Sequence, residues 1–296
     1  MHRPPTLTLT ILFLSAALAA CAPTQPPPFD FAQGTPVPAT ETLAPPTPIP
    51  PTSTPIPPTP TAAIWKPSLV SSWQIQYTGE IDTSLDVDLY NLDLFDTPAE
   101  TIAGLHARGI RVMCYFSAGT YEDWRPDIDQ FPTSILGNDL EDWPGEKWLD
   151  IRALDTLGPI MLARMDLARE KGCDGVDPDN VDGYTNDTGF PLAAADQLAY
   201  NIFLANAAHQ RGLAVGLKND LDQIPDLLPY FDWALDEECF TYEECDLLLP
   251  FIEAGKPVFL IEYELPPGEF CPQANEMNFN AIHKTYDLDA YRSACR

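Results

Sequence analysis

Positive charge and histidine are scarce in this sequence. Its 296 residues include 16 Lys and Arg against 44 Asp and Glu, and only four histidines, which gives a formal net charge of −28 at pH 7. Nucleic acid is therefore excluded as an expected partner, because binding to phosphates needs a basic surface. The histidines show no spacing typical of metal ligands, so no metal is expected. A site made of carboxylates alone, at Asp177, Asp179 and Asp182, stays open as an alternative.

The sequence also lacks the local signatures of several enzyme classes. It has no Gly-x-Ser-x-Gly elbow of the kind that carries the serine of many esterases. No Gly-rich loop follows the first predicted strand, as it does in most nucleotide-binding doubly wound sheets. No cysteine has an evident histidine partner for nucleophilic catalysis. These absences give serine and cysteine catalysis little support and disfavour a doubly wound nucleotide-binding sheet.

The N-terminal segment predicts export. An apolar run from Leu7 to Ala20 is of signal-peptide length and too short to span a bilayer comfortably. It ends in Leu-Ala-Ala-Cys at residues 18–21, which matches a bacterial lipoprotein box with lipidation at Cys21. We therefore predict a lipoprotein signal peptide at 1–21 and a cell-surface or membrane-anchored protein. The alternative is an ordinary signal peptide cut near Ala20 and a secreted protein.

A Pro/Thr-rich segment separates this leader from the rest of the chain. Between residues 22 and 60, 15 of 39 residues are proline, and Phe29 and Phe31 are the only aromatic residues. Such a composition buries too little apolar surface to offset the entropy of ordering. We predict a disordered linker at 22–64 and one folded domain at 65–296, expected to be monomeric. That domain holds 15 Lys and Arg and 42 Asp and Glu, a charge of about −27.

The cysteine content is consistent with an oxidising compartment. There are seven cysteines, and Cys21 as a lipid site leaves an even six. The candidate disulfides join Cys239 to Cys245 across a short loop and Cys271 to Cys295 near the C-terminus. Cys114 and Cys173 lie in or beside predicted strands, so either a bond or two buried thiols is possible.

From residue 73 onward, short apolar strands alternate with amphipathic segments. The predicted strands cover residues 73–77, 87–92, 110–116, 147–151, 175–177, 214–217, 233–235 and 257–261. The predicted helices include residues 98–108, 157–171, 192–211 and 242–254. Eight strands alternating with helices predict an α/β fold of the (β/α)8 TIM-barrel type, and an open doubly wound sheet is the alternative.

Carboxylates and amides collect where these strands end, which in a barrel is the reactive rim. The residues at the ends are Asp93, Ser117, Gly119, Asp179, Asn180, Lys218, Asn219, Asp236, Glu237, Glu262 and Glu264. Glycoside hydrolysis commonly uses two carboxyl groups, one as acid and one as nucleophile or base. The rim therefore predicts a glycoside hydrolase.

Four motifs carry a resemblance to a known family. They are Tyr-Phe-Ser-Ala-Gly at 115–119, Trp-Arg-Pro-Asp at 124–127, Gly-Val-Asp-Pro-Asp-Asn-Val-Asp-Gly-Tyr at 175–184, and Asp-Glu-Glu-Cys-Phe at 236–240. Together, and in this order, they resemble the endo-α-1,4-polygalactosaminidase family of glycoside hydrolases over roughly residues 73–264. The resemblance implies a (β/α)8 barrel that acts, without a cofactor, on α-1,4-linked, galactosamine-rich polysaccharide, which is cationic where it is deacetylated.

The same resemblance implies the catalytic pair. Asp179 belongs to the Pro-Asp-Asn motif and is the expected nucleophile of a retaining mechanism, whereas Glu237 is the expected general acid/base. The chain departs from the family pattern at Asp177, where glutamate is usual, and at Asp236, where asparagine is usual. Two effects of a carboxylate at Asp236 stay open, a raised pKa of Glu237 or altered sugar contacts, and it also stays open whether Glu237 or Glu238 faces the groove.

The remaining rim residues are predicted to contact sugar. They are Asp93, Tyr115, Trp124, Arg125, Asn180, Asp182, Lys218, Asn219 and Glu262. Structural interpretations stay open for several: an ion pair for Arg125, neutralisation of the rim by Lys218, a core position for Tyr115 and a turn cap for Asp182. For the whole protein, the alternatives are a non-catalytic polysaccharide-binding lipoprotein and a hydrolase of another α-galactoside.

Overall fold

The computed structural model describes residues 63–296. The predicted signal peptide, Cys21 and nearly all of the predicted linker lie outside the described residues. Within the described part, no helix is long and apolar enough to cross a membrane.

The domain alternates strands and helices along the chain. The strands are β1 (Trp73–Gln76), β2 (Leu89–Asp93), β3 (Arg111–Ser117), β4 (Thr120–Glu122), β5 (Leu136–Asp139), β6 (Glu146–Leu149), β7 (Gly175–Asp179), β8 (Ala214–Lys218), β9 (Trp233–Glu237), β10 (Val258–Glu262), β11 (Asn280–His283) and β12 (Ser293–Ala294). The α-helices are α1 (Ala99–Ala107), α2 (Leu154–Lys171), α3 (Ala194–Gln210), α4 (Ile224–Leu227), α5 (Leu249–Glu253) and α6 (Pro267–Glu276).

The main sheet has nine strands in the order β1-β2-β3-β7-β8-β9-β10-β11-β12. All pairs from β1 to β11 are parallel, and β12 pairs antiparallel with β11. The sheet curls until its first and eighth strands approach one another. There the Trp73 indole Nε1 donates to the Asn280 carbonyl at 2.8 Å, and the Ser71 amide donates to Asn280 Oδ1 at 3.0 Å. Eight parallel strands in chain order define a TIM-barrel-like α/β fold.

Two of the predicted elements are corrected by the structure. The segment predicted as a barrel strand at 147–151 is β6 of a separate antiparallel sheet, ordered β4-β6-β5, that covers one side of the rim. The missing barrel strand is β11, whose four residues give too short an apolar pattern to be recognised. The predicted helix at 242–254 is a 3₁₀ turn, Cys245–Leu248, followed by α5, which has Pro250 in its first turn.

Alternation of side chains divides the core into two layers. One layer fills the interior of the curled sheet, and Trp233 and Trp73 are its largest members. The other lies between the sheet and the helices and includes Val176 and Leu260. Trp233 fits inside only because Gly216 faces it, since a Cβ at Gly216 would approach the indole nitrogen to 2.1 Å.

Three disulfides tie the described domain together. Cys239 is bonded to Cys245, and Cys271 to Cys295. Cys114 in β3 is bonded to Cys173, which precedes β7, so the pair left open by the sequence is a bond rather than two thiols. Each bond closes a loop of the unfolded chain and so disfavours unfolding.

Candidate active site

One cavity of about 460 Å³ opens at the carboxyl ends of the parallel strands. Its floor is built from side chains that continue the inward-facing alternation of each strand. These side chains are Tyr77 after β1, Asp93 in β2, Tyr115 in β3, Asp179 in β7, Lys218 in β8, Glu237 in β9 and Tyr263 after β10. Because parallel strands end at one edge, residues spread over almost 190 positions of sequence meet around a space that fits a sugar.

Asp179 and Glu237 are bridged by one ammonium group. Lys218 Nζ lies 3.0 Å from Asp179 Oδ1 and 2.9 Å from Glu237 Oε2. The lysine side chain is 4% exposed, whereas the two carboxylates remain partly open to the cavity. The shared nitrogen limits these two oxygens to a separation of no more than about 6 Å, close to the 5–5.5 Å between the carboxyl groups of retaining glycosidases.

The chain turns sharply directly after these three residues. Asn180, Asn219 and Glu238 all adopt left-handed backbone conformations, with φ of 59°, 54° and 66°. Asn219 also fixes the neighbouring acid, because its Oδ1 accepts the Glu237 amide at 3.1 Å. Non-glycine residues in this region store strain that the surrounding fold must offset, and such positions concentrate at functional sites.

The pKa of Glu237 is held below its usual value of 4.5. Burial favours the neutral form, but the Lys218 ammonium and hydrogen bonds from Tyr263, Lys218 and Asn219 outweigh it. The net pKa of Glu237 is therefore lowered, although Asp236 lies beside it. Burial, followed by the charges of Glu244 and Glu237, raises the pKa of Asp236 itself well above 3.8.

Arg125 holds the wall of the cavity through ion pairs. Its guanidinium makes two hydrogen bonds to Glu122, of 2.8 and 2.7 Å, and a 2.7 Å contact to Asp93 Oδ2. All three side chains are buried yet reach the cavity lining. These contacts agree with the interpretation of Arg125 as a residue that fixes the loops by ion pairs.

Glu146, a buried acid of the small antiparallel sheet, lies behind Asn180. Glu146 Oε2 accepts a 2.8 Å hydrogen bond from Thr120, whose hydroxyl also contacts Ser117 and the Asn180 amide. Burial, reinforced by the charges of Glu122 and Asp179, raises the pKa of Glu146 to about 7. The small antiparallel sheet thus supplies a carboxyl group that is partly protonated near neutral pH.

Aromatic side chains form the sides of the cavity. Trp124 and Trp143 are 50% and 52% exposed at its mouth. Tyr77 packs on Tyr115 at a ring separation of 4.4 Å, so Tyr115 is both a packed residue and part of the lining. Exposed indole faces beside carboxylates suit a carbohydrate, whose ring has apolar faces and polar edges.

Two predicted sugar contacts lie outside this cavity. Glu262 is fully buried and accepts hydrogen bonds from the Phe240 amide and the Thr241 hydroxyl, both at 2.8 Å. It faces the helix side of β10, so its prediction as a sugar contact is wrong, and it instead anchors the loop after β9. Asp182 lies in an adjoining depression rather than in the main cavity.

Sequence reasoning missed several residues of the lining. Tyr77, Glu122, Glu146, Tyr263 and Tyr286 all contribute to it. For Tyr263 the signal was present in the strand alternation: the inward positions of β10 continue to residue 263 and not to 262. Tyr263 donates a short hydrogen bond to Glu237 Oε1 and stacks on Tyr286 at 4.4 Å.

The close approach of Gly119 to Asn180 predicts a large effect on stability. A Cβ at Gly119 would lie 1.6 Å from the Asn180 carbonyl oxygen. We expect Gly119→Ala to lower the free energy of unfolding by about 3 kcal/mol, because backbone must move to relieve the overlap. Urea unfolding measures this, with Gly104→Ala in α1 as control, where nothing lies within 4 Å. A loss of stability no larger than in the control would contradict the packing described.

Among residues 63–296, no group of three or more His, Cys, Asp or Glu side chains is arranged to hold a metal ion. Asp177 contacts Asn91 at 2.7 Å and lies beneath the cavity floor, and Asp182 lies in the adjoining depression. The three carboxylates considered for a metal therefore do not converge on one point.

Two carboxylates at the C-terminal edge of a TIM-barrel-like sheet, in an aromatic-walled cavity, define the class of glycoside hydrolases. The model of glycoside-hydrolase family GH114 matches residues 55–296. The chain belongs to this family, which confirms the family resemblance, and it is a glycoside hydrolase.

Solved structures agree with this assignment. The chain is 46% identical to Ega3 of Aspergillus fumigatus, whose crystal structure is a complex with galactosamine. The match covers 79% of this chain and 99% of that one, with a TM-score of 0.75. The glycoside hydrolase domain of PelA from Pseudomonas aeruginosa is 15% identical over 75% of this chain and 98% of its own, with a TM-score of 0.60, a likeness of fold. An uncharacterised protein of Deinococcus radiodurans is 29% identical over 290 residues, 85% of this chain and 87% of its own length.

Proposed function

We propose that this protein is an exported, endo-acting and retaining hydrolase of α-1,4-linked galactosamine or N-acetylgalactosamine polysaccharide. Asp179 is the nucleophile and Glu237 the general acid/base, on the rim of a closed (β/α)8 barrel. Residues 1–21 direct export and Cys21 carries a lipid anchor. The Pro/Thr-rich linker at 22–64 holds the monomeric domain, 65–296, away from the membrane surface.

The observation that carries the mechanism is the shared contact of Lys218 with both carboxylates. A separation of no more than about 6 Å leaves little room for the water that inverting enzymes hold between acid and base, and it favours direct attack by one carboxylate. Asp179 is the better nucleophile, because Lys218 and the Asn180 amide at 2.8 Å orient one oxygen. Glu237 is assigned as the proton donor by the family resemblance, and hydrogen bonds from Tyr263 and Asn219 fix the position of its carboxyl group beside the cavity.

Two displacements complete the reaction. In the first, an oxygen of Asp179 bonds to the anomeric carbon, the glycosidic bond breaks, and protonated Glu237 gives its proton to the departing oxygen. In the second, Glu237, now a carboxylate, takes a proton from water, whose oxygen displaces Asp179. Both carboxyl groups return to their first states, and the anomeric configuration is retained.

Two observations support the proposed substrate: the composition of the cavity lining, and the ligand present in the crystal structure of a relative. The groove lining combines several carboxylates with exposed tryptophans, which suits a sugar chain carrying amino groups. Ega3, at 46% identity, was crystallised with galactosamine.

Incubation with defined polymers tests the proposal. We expect oligosaccharides to appear from α-1,4-linked galactosamine polymer, with products of several lengths early in the reaction, as endo action requires. An unrelated α-galactoside and a β-linked glucosamine polymer serve as controls and should stay intact. Binding without product would favour the alternative of a polysaccharide-binding lipoprotein. Cleavage of the α-galactoside instead would reassign the substrate.

A further inference from the structure

The loop that follows the last parallel strand forms one wall of the catalytic cavity. It covers residues 284–292, between β11 and β12, and it contributes Tyr286 and Leu288 to the cavity lining. Tyr286 lies 48 positions after Glu238 in the sequence, and neither displacement of the proposed reaction uses it. The Tyr286 side chain is 51% exposed, so burial in the core does not account for an aromatic ring at this position.

The fold holds this loop by its backbone carbonyls. Lys284, which is fully buried, donates through Nζ to two carbonyls of the loop, one of them that of Asp289 at 2.6 Å. The backbone amide of Tyr77 donates to the Leu288 carbonyl at 2.8 Å. Because Lys284 follows β11 and Tyr77 follows β1, the backbone that carries Tyr286 is attached to the ends of two barrel strands.

Tyr286 packs its ring on Tyr263, the residue that follows β10. The two ring centroids are 4.4 Å apart, and the ring planes are 23° from parallel. The Tyr263 hydroxyl in turn donates a short hydrogen bond to Glu237 Oε1. Stacked aromatic rings attract one another beyond the effect of the area they bury, and the ring torsion of a tyrosine is otherwise broad. The stack therefore restricts the orientation of Tyr263.

Tyr263 is a hydrogen-bond donor to Glu237 at every pH at which carboxyl groups titrate. Burial, followed by the charge of Glu237, raises the pKa of Tyr263 well above 10, so its hydroxyl keeps its proton. Against the effect of burial, the Lys218 ammonium and this hydrogen bond together lower the pKa of Glu237. The orientation of Tyr263 thus affects both the position of the Glu237 carboxyl group and its affinity for the proton.

Other ionisable groups also act on Glu237. They are Lys218 from β8, Asp177 and Asp179 from β7, Asp182 after β7, Tyr77 after β1, and Asp236 and Glu238 on either side of Glu237. Glu238 also accepts a hydrogen bond from the Tyr286 hydroxyl at 3.2 Å. Removal of this hydroxyl alone therefore separates the effect of the hydrogen bond from that of the stack.

We propose that Tyr286 is a positioning residue: its stack on Tyr263 holds the Tyr263 hydroxyl against Glu237 and so fixes the acid/base carboxyl group. Tyr286 acts through Tyr263 and needs no contact with the reacting atoms. This inference rests on the proposed function, in which Glu237 is the acid/base, and it extends the catalytic machinery to the C-terminal loop. A platform for a sugar ring is the competing role. A platform changes KM, whereas positioning changes kcat and the pH profile.

Kinetics over a range of pH test the role of Tyr286. In Tyr286→Ala the Tyr263 hydroxyl is no longer held in place, so the pKa of Glu237 rises. The alkaline limb of kcat/KM should then move to higher pH by about 0.5–1 unit, and no further than in Tyr263→Phe. Polymer turnover, kcat, should fall about threefold to tenfold. Tyr286→Phe keeps the stack and should leave the limb in place. Tyr291→Ala, the control, removes another exposed ring of the same loop that is not part of the cavity lining.

Three results would overturn the proposal. A raised KM with an unmoved limb in Tyr286→Ala would identify Tyr286 as a sugar platform. An equal shift in Tyr286→Phe would mean that the hydrogen bond to Glu238 acts on Glu237, and the stack does not. In the double variant, Tyr263→Phe with Tyr286→Ala, the limb should lie where Tyr263→Phe alone places it. A further shift would mean that Tyr286 acts by a route that bypasses Tyr263.

Direct titration provides a readout that does not depend on turnover. NMR of the glutamate carboxyl carbons follows the ionisation of Glu237, whose signal is identified by its loss in Glu237→Gln. The pKa of Glu237 should be higher in Tyr286→Ala than in the unaltered protein or in Tyr286→Phe. An unchanged pKa would overturn the positioning role even if the polymer is cleaved. If the unaltered protein cleaves no polymer, the proposed function fails, while the titration still decides whether Tyr286 acts on Glu237.

Discussion

Asp179→Asn is expected to lower kcat on galactosamine polymer by at least about a thousandfold, because an amide cannot attack the anomeric carbon. Glu237→Gln is expected to lower it by about a hundredfold to ten-thousandfold, the range of a general acid/base. The two losses should not add in the double variant, since both groups serve one reaction. Product release over time, on protein whose folding has been verified by its unfolding curve, measures both.

Rescue by azide separates the two roles. Azide is a small anion that fits the space left when either carboxylate is truncated to alanine, and it needs no general base. With an activated α-galactosaminide, Glu237→Ala should give a glycosyl azide of retained configuration, because azide displaces Asp179 from the intermediate. Asp179→Ala should give the inverted azide, because azide takes the place of the carboxylate. If Glu237→Ala gives the inverted product, the assignments are reversed; if neither variant gives azide product, the retaining mechanism is wrong.

Several residues of this site were predicted from strand ends. Asp93, Asp179, Lys218 and Glu237 were selected because each lies just beyond the end of a predicted parallel strand, and parallel strands bring their ends together whatever their distance in sequence. The catalytic roles of Asp179 and Glu237 came from the family resemblance. The strand ends themselves were predicted from hydrophobic periodicity. Such periodicity locates strand ends well where the apolar run is clear, as in β3 and β7.

The errors have identifiable physical sources. Glu262 was chosen because it directly follows the predicted strand at 257–261, although alternation along β10 directs residue 263 into the cavity. The segment around Trp148 was assigned to the barrel because it has the apolar pattern of a strand. That pattern does not reveal which other strand the segment pairs with. Glu122 and Glu146 enter the site through that small sheet, so no argument from barrel strands could find them.

The pKa values of the site residues were the property least predictable from the sequence. A neighbouring acid at Asp236 suggested a raised pKa for Glu237, yet the opposite holds because Lys218 lies 2.9 Å away on the adjacent strand. Register between β8 and β9 determines this contact, since Lys218 pairs with Leu235 and so sits below the end of β9. A pKa depends on distances of a few ångströms, and residue order does not encode them directly.

The second large effect is expected from Lys218→Met, which keeps the length of the side chain and removes its charge. In the unaltered protein the pKa of Glu237 lies below 4.5, so the protonated acid that begins the reaction becomes scarce as pH rises through that low value. The alkaline limb of kcat/KM should therefore lie at acidic pH. Without Lys218, only the hydrogen bonds from Tyr263 and Asn219 oppose the effect of burial, so the pKa of Glu237 rises and this limb should move to higher pH. Tyr263→Phe removes a hydrogen bond to the same carboxylate and should shift the limb in the same direction by less.

The stability of Lys218→Met should also depend on pH in a defined direction. A carboxyl group whose folded pKa is lowered stabilises the fold fully above its unfolded pKa, and this contribution is lost as pH falls through the folded value. The variant should thus lose about 3 kcal/mol of unfolding free energy at pH 7, because two buried acids lose their shared partner. The loss should shrink as pH falls through the lowered pKa of Glu237, where that carboxyl group becomes protonated with or without the lysine. Lys147→Met breaks an exposed pair with Asp139 and should change stability by less than about 1 kcal/mol at either pH. An alkaline limb that stays in place, together with a stability loss that does not vary with pH, would mean that Lys218 supports packing alone and does not set the charge of the catalytic pair.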